Sequence, residues 1–402
     1  MLGNKISVVL KSMLVFTAVS LLITSTRVAA QQGKAIHSFA GTDGSSPQGG
    51  LIFDAVGNLY GTTIAGGANQ VGTVFEMAPL AGGSWAERVL YSFLYNGQDG
   101  YDPRGGVILD AAGNFYGTTV SGGAYGYGSV FELTPSGRTW VEKLLYSFVS
   151  NDKDGVQPAA GLILDPAGNL YGTTCSGGAF GSGTVFELSP AKSGGWGERV
   201  LHSFSNNAKD GGCPSSGLVR DPAGNLYGTT YSGGQYSVGT VFQLYKASGA
   251  WREHVLYSFN WHANGVDSPV GLTMDTAGNL FIPASNGGTY REGAICELSP
   301  SAGGSWTEKV ILVFDGSNGS YPDVSLILDA ASNLFGTTSG GVGNVFELAP
   351  AADGTWTQTV LYSFPSDSSE PSGVILDAAG NLYGETMLNG AYNGGSVFEV
   401  TP

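Results

Sequence analysis

Six aromatic residues, Tyr125, Tyr127, Phe180, Tyr236, Tyr290 and Tyr392, stand beside flexible glycines in loops that recur along the chain. A second recurring set of loops holds an Asp-Gly turn at Asp43, Asp99, Asp154 and Asp210, together with the unrepeated charges Asp102, Arg104, Asp267, Asp323 and Glu370. Aromatic rings stack on the apolar faces of sugars, while carboxylates and amides accept from sugar hydroxyls. The expected ligand-binding set is therefore the six aromatics with Asp102, Asp267 and Asp323, and the expected ligand is a carbohydrate or a surface protein. The competing reading is that the aromatics pin each loop to its neighbour and that Asp merely starts each turn. Calcium accepts several oxygen ligands, so a structural calcium ion is the one cofactor to weigh, but no loop has the dense ligand spacing of a calcium motif.

Catalytic chemistry is harder to assemble. His37, His202, His254 and His262 show no zinc-ligand spacing and fall mostly on or near the last strand of each repeat. There is no nucleophile elbow, and the Gly-rich runs lack a phosphate-loop lysine. A polysaccharide-acting hydrolase or lyase stays open as the alternative, because glycosidic chemistry needs only two carboxylates and the loops supply them. A purely structural or adhesive surface protein is the third reading. Cys175 and Cys213 fall in neighbouring loops on one expected face, where a disulfide fits an oxidising compartment, which leaves Cys296 as a buried thiol.

The elements that must position these residues repeat seven times. FDAVGNLYGTT from Phe53 returns as LDAAGNFYGTT, LDPAGNLYGTT, RDPAGNLYGTT, MDTAGNLFIPA, LDAASNLFGTT and LDAAGNLYGET, with anchors Asp54, Asp110, Asp165, Asp221, Asp275, Asp329 and Asp377. Their spacing of 56, 55, 56, 54, 54 and 48 residues is that of a propeller blade. Each copy divides into a short apolar strand, a turn closed by glycine, the NLYGTT strand, a Gly-rich loop, a VFEL-type strand and a strand ending in LYSF. Copy six has Ser332 where the others have the turn glycine, so strain is expected there. The mature chain opens with a lone fourth strand, Lys34–Phe39, and closes with a third strand at Val397. Joined, they complete the last sheet and remove an open edge. The expected fold is all-β: a seven-bladed β-propeller with four antiparallel strands per blade, closed by pairing of the N-terminal strand with the C-terminal blade.

Residues 1–30 read as a signal peptide, with Lys5 and Lys11, an apolar run from Ser12 to Thr26 and Val28-Ala29-Ala30 before Gln31. A single propeller domain over 31–402 follows. The mature chain has 14 positive and 32 negative side chains, a net of about −18, which repels phosphate backbones and argues against nucleic acid. Secretion to the extracellular space or cell surface is expected, with the periplasm as alternative, as a monomer with no membrane insertion after cleavage.

The NLYGTT strand, the Gly-Gly loop and the GTVFELxP strand together resemble the Gly-rich tandem repeats called GloVer repeats, over residues 34–402. The GLILDxxGNLY hairpin is also similar to the first two strands of NHL-type propeller repeats. The resemblance implies an exported propeller and implies no reaction. Residues present in every blade build every blade, so Glu76, Glu132, Glu187, Glu297, Glu347 and Glu399 read as scaffold, and Trp85 and its equivalents read as covers for the blade edges. Function would show where the repeat breaks: copy five, with Phe281-Ile282-Pro283-Ala284, Cys296 and Trp261-His262, and copy seven, with Glu385 in place of Thr.

Overall fold

A computed structural model describes residues 32–192, 194–214, 216–260, 266–365 and 369–401. The expected signal segment over 1–30 and the pair Trp261-His262 lie outside them. The described residues form an all-β seven-bladed propeller, each blade a sheet of four antiparallel strands. In blade 1 these are Ile52–Phe53, Leu59–Ala65, Thr73–Pro79 and Trp85–Ser92. Blade 7 takes Pro371–Leu376, Leu382–Thr386 and Ser396–Thr401 from the C-terminal end and Gln32–Ser38 from the N-terminal end. Register there runs Lys34 to Glu399 and Ser38 to Ser396, with an ion pair between Lys34 and Glu399 at 2.8 Å.

The first hairpin of each blade is fixed by its own side chains. Asp54 Oδ1 accepts from the backbone N–H groups of Val56 and Asn58, and Oδ2 accepts from the Asn58 amide. The Tyr60 hydroxyl bridges Asp54 Oδ2 and Glu76 Oε1, at 3.0 Å each. One network thus explains the Asp, Asn and Tyr of the hairpin and the Glu of the third strand. Burial alone would raise the Asp54 pKa, but these donors outweigh it and hold the carboxyl below its ordinary range. Ser332 takes a left-handed φ of 68°, the conformation that glycine supplies in the other copies.

Glycine in the NLYGTT strand has a packing reason. A Cβ on Gly172 would lie 2.6 Å from the tip of the Phe186 ring across the sheet. That phenylalanine receives the edge of Phe148 from the preceding blade at 5.2 Å, and Phe39–Phe75, Phe93–Phe131, Phe204–Phe242, Phe314–Phe346 and Phe364–Phe398 repeat the contact. The Phe of LYSF is therefore what joins one blade to the next. The tryptophans do related work: Trp85 packs on Tyr383, Trp196 on Tyr116, Trp251 on Tyr171 and Trp356 on Phe281, each across a seam. These four wedge adjacent blades together, whereas Trp140 packs on Phe115 of its own blade at 5.1 Å.

Blade 5 departs from the pattern in a compensated way. Ile282 replaces the glycine, Cys296 replaces the phenylalanine, and the two are register partners, both fully buried in one cluster with Phe259. A large-for-small change on one strand is offset by a small-for-large change on the other. Of the irregularities that mark this blade, the Ile282 and Cys296 changes are a packing exchange.

Candidate functional site

Two sets of loops lie on the same face of the disc because they pair with each other. Gly100–Tyr101, in the connection from blade 1 to blade 2, forms a ribbon with Ser121–Gly122 between the second and third strands of blade 2. Gly155–Val156 with Ser176–Gly177 and Gly211–Gly212 with Ser232–Gly233 repeat it. Backbone bonds also close the aromatic loops internally, as in Gly126 N–H to Gly123 O and Gly128 N–H to Gly122 O.

All six expected aromatics stand on this face with side chains 40–68% exposed. Tyr125 and Tyr127 share a loop, and Phe180, Tyr236, Tyr290 and Tyr392 each occupy their own, on blades 3, 4, 5 and 7. They form separate platforms and not one cage. Tyr95, Tyr231 and Tyr321 are exposed in the same loops and were not singled out in the sequence, since they recur at no fixed repeat position. Among the described residues, every exposed aromatic lies on this face, while the turns of the opposite face expose only the aliphatic Val56 and Leu80.

The three acids occupy different environments. Asp102, at a φ of 62°, is held by Arg104, whose Nε and Nη2 donate to its two oxygens at 3.1 and 3.2 Å. Asp267 pairs in register with Asn286, and its Oδ1 is buried without a hydrogen-bond partner. Burial raises the Asp323 pKa, opposed by a hydrogen bond from Ser339. Among the described residues, Arg104 and Asp323 are the only ionisable ones lining an axial cavity of about 430 Å³, to which all seven blades contribute, with Gln48, Ala160, Ser216, Val270 and Ser372 from the other five. Of the three acids, Asp323 alone lines this cavity, and none of the six aromatics does.

Cys175 and Cys213 are joined as a disulfide, which ties the loop after the second strand of blade 3 to the loop entering blade 4. Cys296 is a buried free thiol. Glu385 is fully buried at the seam between blades 7 and 1, where Oε2 accepts from Gly50 N–H at 3.0 Å and Oε1 has no partner. Burial pushes its pKa up to about 8 against that single donor.

A polar trio recurs near the loop-face end of the fourth strands. Tyr91 donates to Asp99 and Tyr146 to Asp154, both at 2.8 Å, and Glu142 and Glu198 of the next blade lie within electrostatic reach of those aspartates. At two seams histidine takes the place of tyrosine, giving His37–Asp43–Glu87 and His202–Asp210–Glu253. Local ligand spacing does not reveal these groups, because the third member arrives from the following blade.

The sequence profile described as the Gloeobacter/Verrucomicrobia repeat matches residues 22–196, 83–266 and 143–344. No curated protein matches the sequence. Among solved structures the chain is similar to virginiamycin B lyase from Staphylococcus aureus, at 14% identity and a TM-score of 0.56 over 92% of this chain and 99% of that one. It is also similar to PorZ, a bacterial surface component of the type-IX secretion system of Porphyromonas gingivalis, at 17% identity and a TM-score of 0.54 over 87% of this chain and 46% of PorZ. A third likeness is to the periplasmic gluconolactonase of Pseudomonas aeruginosa, at 14% identity and a TM-score of 0.51 over 79% and 85% of the two chains. At these identities the shared property is the propeller fold.

Proposed function

The chain belongs to the Gloeobacter/Verrucomicrobia repeat family, and on that scaffold we propose an exported, non-catalytic binding protein that holds carbohydrate on its loop face. The observation that carries this reading is the segregation of exposed aromatics: nine rings open to water on one face, on loops that are already closed by their own backbone hydrogen bonds. Rings that pinned loops together would be covered by their neighbours. Exposed apolar surface gathered on one side marks an interaction surface, and flat rings beside amide and carboxylate acceptors suit sugars. Platforms spread over five blades favour an extended glycan over a single sugar held in a pocket.

The test is a panel of immobilised polysaccharides probed with the wild-type chain and with Tyr125→Ala and Tyr236→Ala. Retention of at least one glycan, weakened about tenfold in each variant with unchanged melting, is the expected result. Absence of binding across the panel removes the carbohydrate reading. Release of soluble product from any of the same polysaccharides would transfer the assignment to a hydrolase or lyase.

A further inference from the structure

We propose that His37–Asp43–Glu87 and His202–Asp210–Glu253 are two binding sites for a divalent transition metal of the zinc class, each bridging adjacent blades. In both trios one ligand atom from every residue lies within 4.8 Å of the others. His37 Nε2 is 3.0 Å from Asp43 Oδ2, and His202 Nε2 is 3.2 Å from Asp210 Oδ1. Zinc bonds of about 2.0–2.2 Å in tetrahedral geometry place ligand atoms about 3.4 Å apart, so modest side-chain movement is enough to admit an ion. Three protein ligands leave the fourth position to water.

The seam glutamates bring an unsatisfied oxygen that an ion can use, and the histidine distinguishes the two sites. Glu87 Oε1 and Glu253 Oε1 are shielded from water and have no hydrogen-bond partner, a state that Glu142 Oε1 and Glu198 Oε1 share at the tyrosine seams. An unpaired buried carboxylate oxygen is costly, and a cation at the centre of the trio satisfies it. The imidazole decides the class of ion, since calcium and magnesium favour all-oxygen shells whereas zinc, cobalt and nickel accept nitrogen. The tyrosine seams supply an internal control: Tyr91–Asp99–Glu142 and Tyr146–Asp154–Glu198 keep both carboxylates but offer a hydroxyl, already donated to Asp, where the other two offer a ring nitrogen. The fold does not require histidine at this position. One site would pin the N-terminal strap of blade 7 to blade 1 and so secure ring closure. The other would join blades 3 and 4, the pair that the Cys175–Cys213 disulfide also links.

The experiment uses the signal-free chain, without a histidine tag and stripped with chelator, titrated with Zn²⁺ by calorimetry and with Co²⁺ by visible absorption. Two ions per chain are expected, one in His37→Tyr, one in His202→Tyr and none in the double variant. Zn²⁺ should raise the melting temperature of the wild type and leave the double variant unmoved. Because tyrosine is native to the sister seams, both variants should fold; Glu87→Gln and Glu253→Gln give the same readout if one does not. No saturable uptake, uptake undiminished in the double variant, or saturation by Ca²⁺ with none by Zn²⁺ would each overturn the proposal and leave the trios as proton-bridged seam contacts.

Discussion

Replacing Glu385 with threonine should abolish a pH dependence of stability that the wild type carries at the seam where its ring closes. In blades 1, 2 and 3 the equivalent Thr62, Thr118 and Thr173 donate to the carbonyls of Gly105, Ala160 and Ser216 in the next blade, at 3.0–3.3 Å. Glu385 instead accepts from Gly50 N–H and buries an unpartnered oxygen facing Gly61. Burial raises its pKa from an ordinary 4.5 to about 8. Below pH about 4.5 both folded and unfolded chains hold the proton, and the group has no effect on stability. As pH rises the unfolded chain ionises first, so stability falls until the folded group ionises near pH 8 and is level beyond. A shift of about 3.5 units at 1.36 kcal/mol each sets a ceiling of about 5 kcal/mol, of which about 4 falls between pH 5 and pH 9. Glu385→Thr removes this loss and restores the cross-blade donor, at about 1 kcal/mol for the smaller side chain. Urea unfolding at pH 5, 7 and 9 reads the difference between variant and wild type, which cancels the other groups that titrate over the same range. The variant should be near parity at pH 5 and more stable by a few kcal/mol at pH 9, with Glu385→Gln showing the same trend. A difference that stays constant with pH in both variants would refute the reasoning.

The blade 5 exchange predicts strong coupling. Ile282→Gly should cost about 3–5 kcal/mol by opening a cavity and Cys296→Phe about 1–3 by overpacking, while the double variant recovers most of both losses, with an interaction term of about 2–3 kcal/mol in a double-mutant cycle of urea unfolding. Cys213→Ser should lower stability by about 3–4 kcal/mol from loss of a cross-link spanning 38 residues, and dithiothreitol should reproduce that loss in the wild type and leave the variant unchanged in thermal melts.

What could be read from the sequence was chemistry completed inside one hairpin. Asp54, Asn58 and Tyr60 satisfy one another within seven residues, so their spacing announces the turn and its count announces the ring. What was hidden depends on the next blade. Trp85 reads as a cover for its own sheet until Tyr383 is seen beneath it. The reciprocity of Gly172 and Phe186 is silent while both are constant, and it becomes visible only where Ile282 and Cys296 change together. His37 and Glu87 are 50 residues apart, and His202 and Glu253 are 51 apart, about one blade period, which a search for closely spaced ligands passes over.

That separation of scales also divides the molecule by role. Every residue type that repeats in the second and third strands is consumed in building: the Asp–Asn–Tyr–Glu network holds the hairpin, the Gly–Phe fit holds the sheet, and the Phe–Phe contact holds the seam. A scaffold satisfied in this way has no structural need for the loop rings, and substituting exposed residues outside such networks changes stability by about 0.5 kcal/mol or less. Apolar area gathered on one face without a structural role is what the proposed ligand surface requires, and Arg104 and Asp323 add charge to the axial cavity. The Cys175–Cys213 disulfide and the paired Gly ribbons fix the loop backbones, so the exposed rings they carry, and not the repeated signature, are where the proposed ligand recognition is to be tested.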